Sequence, residues 1–134
     1  MKKTALASSC LLATLLAGCA GGGMYSEPYA LFQAEGRMPA ADTRSAFIMK
    51  IDGRNVDMSR NDPVQPGTRN VEVSIPGAPG MADSDRDTLT VDAKPCTRYY
   101  FAARRSSPTA RDWKAFISAS EPIGECEKKF AGPK

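Results

Sequence analysis

The chain has no histidine and only one tryptophan, and aromatic residues make up 7% of its 134 positions. Without histidine, Ser-His-Asp and Cys-His nucleophilic arrangements are excluded, and no imidazole exists to complete a zinc set. A strong charge of one sign is also lacking, since 18 lysines and arginines face 15 acids for a formal net charge of +3. A global basic field for nucleic acid is therefore missing, and no nucleic-acid partner is expected. Long helical periodicity is scarce too, because no extended segment repeats its apolar residues at 3.6-residue spacing. The apolar run Ala5 to Leu16 is too short to span a bilayer, which needs about 20 apolar residues.

That short run carries the most specific signal present. Lys2 and Lys3 form a positive start, the apolar run follows, and small residues then precede Cys19. This is the layout of a secretory signal peptide. Leu16-Ala17-Gly18-Cys19 closely resembles the lipobox of bacterial lipoproteins. The resemblance implies cleavage before Cys19, a thioether-linked diacylglycerol on its sulfur, and acylation of the new amino terminus. Two or more acyl chains hold a protein stably on a membrane. The alternative is an ordinary signal peptide with a chance cysteine. Ala20 stands where lipoproteins kept in the inner membrane often carry Asp, which implies an outer-membrane location facing the periplasm. Removing residues 1–18 leaves 16 bases against 15 acids, so the mature chain is nearly neutral.

Of the four cysteines, Cys10 falls in the leader and Cys19 carries lipid. Cys96 and Cys126 remain as an even pair in an oxidising compartment. Their separation offers no C-x-x-C spacing, so a structural disulfide is expected and a redox-active pair is the lesser alternative. Closing a loop of about 30 residues stabilises by roughly 3–4 kcal/mol on the chain-entropy model.

The organisation expected is a signal peptide over 1–18, a lipidated N-terminus with tether or arm over 19–43, and a β-sandwich domain over 44–134. Ala20 to Gly23 opens the tether. Met24 to about Thr43 holds Tyr25, Tyr29, Leu31 and Phe32 without a sustained period, fitting a lead-in strand, a helix turn or more tether. From Ala46 the pattern is that of strands: Ala46 to Ile51 with the turn Asp52-Gly53, then Val56 and Met58 alternating with polar neighbours. Pro66-Gly67 turns into Val71, Val73 and Ile75, the cleanest alternation in the chain. Pro76 to Asp87 reads as a loop. Leu89, Val91 and Ala93 alternate next, Tyr99 to Ala103 follow Cys96, and Trp113 to Ala119 form the last strand. Six or seven short strands argue a small antiparallel β-sandwich, all-β in class. Trp113, Phe101, Val73, Leu89 and Ile117 are the expected core. Parity counted from Phe101 buries Tyr99, whereas parity from Cys96 buries Tyr100, and the pattern leaves the choice open.

Ile51-Asp52-Gly53, Gln65-Pro66-Gly67-Thr68 and Val71-Glu72-Val73 resemble the small β-modules called PEGA domains, although Gln65-Pro66-Gly67 stands where that family reads Pro-Glu-Gly. The resemblance covers about 30 residues. It implies a surface β-fold without catalysis and transfers no functional residue.

Few constellations for chemistry remain. Asp83-x-Asp85-x-Asp87 opens like a calcium loop, but Thr88 and Lys94 occupy the positions that need Gly and an acid. Glu121, Glu125 and Glu127 are the acids available for glycoside hydrolysis. No catalytic residue, metal ligand or cofactor is assigned. One asymmetry stands out. Cys19 to Ala93 holds seven bases and eleven acids, whereas Lys94 to Lys134 holds nine bases and four acids. Arg98, Tyr100, Arg104, Arg105, Arg111 and Lys114 surround the aromatic positions of the last two long strands. If those strands pair, these side chains are candidates for a basic face toward an anionic partner. A solvated face over an aromatic core is the competing reading. The function expected is a non-enzymatic structural or adaptor lipoprotein, bound to the membrane by its lipid and to an envelope protein by its domain. A ligand-binding or inhibitor lipoprotein, for example against a cell-wall hydrolase, is the runner-up.

Overall fold

Alternation builds the larger part of the fold. In the computed structural model, which describes residues 26–37, 40–57, 60–77, 85–107 and 109–131, Val71, Val73 and Ile75 of β5 (Gly67–Ile75) are fully buried while Glu72 and Ser74 stay partly exposed. The leader, the tether through Tyr25, Met58 and Asp83 lie outside the described residues. Along its whole length β5 pairs antiparallel with β6 (Asp85–Ala93). Its other edge takes β3 (Phe47–Ile51), which turns through Asp52-Gly53 into β4 (Arg54–Asn55). Asp52 and Gly53 have φ of 50° and 78°, the left-handed pair that a two-residue type I′ turn requires. The first sheet therefore runs β4-β3-β5-β6.

The second sheet is organised around β7 (Thr97–Arg105). β8 (Trp113–Pro122) pairs antiparallel with one edge of it. Two strands share the other edge. β1 (Ala30–Ala34) runs parallel to Thr97–Phe101, and β2 (Thr43–Ser45) runs antiparallel to Ala102–Arg104. Where they meet, the N–H groups of Glu35 and Ala46 both donate to the Phe101 carbonyl, at 2.8 and 3.2 Å.

This all-β, two-sheet fold agrees with the class read from the sequence, with particular differences. One pair is parallel, so the sandwich is not wholly antiparallel. β1 belongs to the sheet, so the folded unit begins ahead of residue 44. The segment after Asp52-Gly53 pairs at Arg54–Asn55 rather than at Val56. The first residues of β6, Asp85 to Asp87, pair with Ile75 to Val73 instead of forming a loop. A short helix, α1 (Gly124–Phe130), closes the described chain.

Between the sheets lie Phe32, Ile48, Val71, Val73, Ile75, Val91, Tyr99, Phe101 and Trp113. Phe32 meets Tyr99 and Phe101 edge-on, with centroids 5.7 and 5.2 Å apart, the arrangement that ring quadrupoles favour. Of the expected core, Phe101, Val73 and Trp113 are buried and Leu89 packs partly buried against them, but Ile117 is 37% exposed. The correction has a local cause. Ile117 lies opposite Phe101 on the sandwich side, but β8 is an edge strand with no partner on its far side among the described strands, so the side chain stays partly open to solvent.

Parity resolves in favour of Phe101. Tyr99 is buried, and its hydroxyl accepts from the Lys94 N–H at 2.9 Å and donates to the Asp92 carbonyl at 3.3 Å. It thereby fastens the turn by which the chain crosses from β6 to β7. Cys96, in this turn, has φ of 52°, a left-handed conformation that costs a non-glycine residue about 1 kcal/mol or more.

A second, smaller apolar cluster sits on the outer side of the β7 sheet. Leu31, Cys96, Ile123 and Cys126 form it, with Tyr29 and Phe130 against them. Cys96 and Cys126 are disulfide-bonded, with Cα atoms 5.2 Å apart. Backbone bonds run alongside, from Cys96 N–H to Tyr29 O at 2.7 Å and from Ile123 N–H to Cys96 O at 2.8 Å. The bridge thus fixes α1 and the start of β1 to one end of the sheet.

Candidate functional site

β7 and β8 do pair, which brings the basic and aromatic side chains of the C-terminal third onto one sheet. Alternation then divides them. Arg98, Tyr100 and Arg104 project from the outer face of β7, and Lys114 lies opposite Arg104 on β8. Arg105 and Trp113 are opposite each other on the sandwich side, at the strand ends. Arg111 lies in the connection before β8 and is exposed. The six candidates therefore occupy two faces and a loop rather than a single surface.

At the disulfide end of the outer face, charges are matched. Glu121 on β8 accepts from Arg98 Nη1 at 2.9 Å and from the Tyr100 hydroxyl at 2.7 Å. The Tyr100 hydroxyl and then the Arg98 guanidinium hold the Glu121 carboxyl below its usual range. The same carboxylate, followed by burial, pushes the Tyr100 phenol up. Farther along, Glu35 reaches across β7 so that its carboxylate accepts from the Arg37 N–H and from the Ser118 hydroxyl, both at 2.8 Å. Those bonds, the backbone one first, lower its pKa. The Ser45 hydroxyl donates to the Glu35 carbonyl and pins the excursion to β2.

The opposite end is different. Arg104 stacks on Phe116 with its Cζ 4.5 Å from the ring centroid. Trp113 carries two guanidiniums, Arg44 at 4.4 Å and Arg105 at 5.0 Å. Arg44 Nη1 also donates to the Pro76 carbonyl at 2.7 Å. Ion pairs among the described residues join Lys50 and Arg86 to Glu72, Arg69 to Asp52, and Arg98 to Glu121. None involves Arg44, Arg104, Arg105 or Lys114. Arg105 Nε is buried without a hydrogen-bond partner among the described residues, as is Arg98 Nε at the disulfide end. Asp87, the nearby carboxylate of β6, is committed to the backbone, accepting from the Ala115 and Thr88 N–H groups. Sequence reasoning missed Arg44. It comes from β2, far from Trp113 along the chain, and no local pattern announces the stack.

A separate basin of about 650 Å³ opens beside the β3–β4 turn, lined by Ile51, Arg54, Val56, Asp62, Val64 and Arg69 among others. The Arg69 guanidinium is already engaged there with Asp52, Gln65 O and Pro66 O. Asp52 in turn accepts from the Asn70 N–H, and this bond, then Arg69, lowers its pKa. These contacts staple the Pro66-Gly67 turn to the Asp52-Gly53 turn, which is a structural use. Among the described residues no group of three or more cysteine or acidic side chains is placed to hold a metal ion. Glu125 and Glu127 lie in the first turn of α1, away from Glu121's pairing.

Neither a family model, a curated protein nor a solved structure matches this chain.

Proposed function

We propose that this chain is a lipid-anchored envelope protein, acylated at Cys19, held in the outer membrane facing the periplasm, and acting by binding rather than by catalysis. The observation that carries the reading is Leu16-Ala17-Gly18-Cys19 behind a short apolar run and two lysines. The fold is consistent with that use. A tethered domain needs a firm point of entry, and the chain enters β1 beside the Cys96–Cys126 bridge, a link suited to an oxidising compartment. Glu121, the best-placed acid of the C-terminal segment, is held ionised by Tyr100 and Arg98, which suits a permanent ion-pair partner better than a proton donor.

The adaptor role is tested in two steps. Intact mass of the mature protein should show diacylglycerol and N-acyl additions on a chain beginning at Cys19, and Cys19→Ser should abolish them together with membrane fractionation. In-cell crosslinking should then recover a recurrent envelope component attached to the folded domain. A mature mass equal to the bare polypeptide would overturn the anchor, and scattered abundant neighbours alone would overturn the adaptor role.

A further inference from the structure

Arg104 and Lys114 face each other across the β7–β8 pair on the outer surface. Like charges directly opposite in an antiparallel ladder are destabilising. Both side chains are exposed, and neither belongs to an ion pair among the described residues. The same two strands manage a cation elsewhere by giving Arg98 the carboxylate of Glu121. The Arg104 end lacks that provision. Stacking on Phe116 occupies one face of the Arg104 guanidinium. It leaves free the in-plane N–H groups, the fork that matches a carboxylate in bidentate fashion. Trp113, with Arg44 and Arg105 against its ring, holds the base of this end in place.

Position selects among anionic partners. The N-terminal segment enters at Ala30, beside Thr97. From Thr97 to Arg105 the strand rises about 25 Å at roughly 3.3 Å per residue. The cationic end is therefore the end of the β7 sheet remote from the point where the chain, and with it the proposed anchor, enters. In the periplasm, the anionic layer within reach of an end remote from the anchor is the cell wall, whose stem peptides are rich in carboxylates. We infer that the end of the sheet formed by Arg104 and Lys114, supported by Phe116 and Trp113, binds the carboxylates of peptidoglycan stem peptides. This rests on the lipid-anchor reading for the direction in which the domain faces.

The test uses the full mature protein in nonionic detergent, sedimented with isolated peptidoglycan sacculi. The expected result is co-sedimentation that weakens as salt rises. Arg104→Glu with Lys114→Glu should reduce apparent affinity about tenfold or more. Lys94→Glu with Lys128→Glu makes the same charge change at the disulfide end and should reduce it less than about threefold. Sacculi whose carboxylates have been converted to amides should retain little wild-type protein, a comparison that does not depend on any variant folding. The inference is overturned if wild-type protein stays in the supernatant, if both double variants lose binding equally, or if amidated sacculi retain it as well as native ones. Retention by vesicles containing anionic phospholipid but not by sacculi assigns the site to a phosphate surface and also overturns it, as does capture only by an acidic envelope protein. The two failures are distinguishable. A bare Cys19 in the mass spectrum removes the anchor, whereas loss of selective sedimentation removes the cell-wall partner.

Discussion

The two ends of the β7 sheet solve the same problem in opposite ways. Each presents cations and aromatic rings on neighbouring strands, yet at the disulfide end the bridge, the apolar cluster and the Glu121 carboxylate tie neighbouring elements together. Leu31, Ile123 and the Cys96–Cys126 bridge close an apolar cluster, while Glu121 holds Arg98 and Tyr100. At the other end, Arg44, Arg104 and Arg105 rest on ring faces and Lys114 stands opposite Arg104 with no acid paired to either. The disulfide and, among the described residues, the ion pair of this sheet are concentrated at the first end. Charge without an ion-pair partner among the described residues is concentrated at the second end. The contrast argues that the first end is for holding and the second for contact.

Removing the ring that supports the contact end should produce the largest stability effect. Trp113→Ala is expected to cost about 3–5 kcal/mol in unfolding free energy, from lost packing and from two arginines left without their stacking surface. Chemical denaturation would show a value under 1 kcal/mol if the ring were merely decorative. Cys96→Ser attacks the holding end and should cost about 3–4 kcal/mol on the chain-entropy model. An unchanged denaturation midpoint under non-reducing conditions would mean that the bridge does not form. Tyr99→Phe, which deletes the hydroxyl that fastens the β6-to-β7 crossing, should cost about 1 kcal/mol; no change would place the fastening elsewhere.

Acid sharpens the comparison further. The Glu121 carboxyl sits below its unfolded value because of Tyr100 and Arg98. Its stabilising contribution is therefore complete above an unfolded pKa of about 4.3 and is lost as pH falls through the lower folded value. Glu121→Gln should accordingly flatten the drop of the thermal midpoint below about pH 4, relative to wild type. An identical drop in the variant would assign acid sensitivity to Glu35 and Asp52, whose carboxyls are lowered in the same sense. The smallest effect belongs to Lys114→Glu. Converting a like pair to an opposite pair should raise stability by up to about 0.5 kcal/mol, and a loss of more than that would show that Arg104 and Lys114 are not in conflict.

How far the fold could be read from residues depended on where each strand lies. β5 alternates Val71, Val73 and Ile75 with polar residues, since one of its faces meets the other sheet, and the pattern is legible. β1 was hidden because Ala30, Leu31 and Phe32 are all buried. Phe32 enters the main core while Leu31 joins the cluster with Ile123 and Cys126, so no alternation survives, as is usual for strands covered on both faces. The start of β6 was hidden for another reason. Its aspartates resemble a loop, yet Asp87 earns its place by accepting the Ala115 N–H across the gap to β8. The candidate site was half legible, because composition marked the basic C-terminal third but could not say which cations pair.

Local pattern by itself determined that the chain would form short strands, that Asp52-Gly53 would turn, that histidine-based chemistry is closed to it, and that Cys96 and Cys126 were free to join. Periodicity and elimination suffice for such conclusions because each depends on neighbours in sequence or on composition. Only the tertiary structure decided that Tyr99 rather than Tyr100 is buried, that Ile117 on the edge strand β8 stays exposed, that Glu121 neutralises Arg98, and that Arg44 joins Arg105 on Trp113. Each of these depends on which strand lies beside which, and strand register is set by packing across the whole sandwich rather than within any one segment.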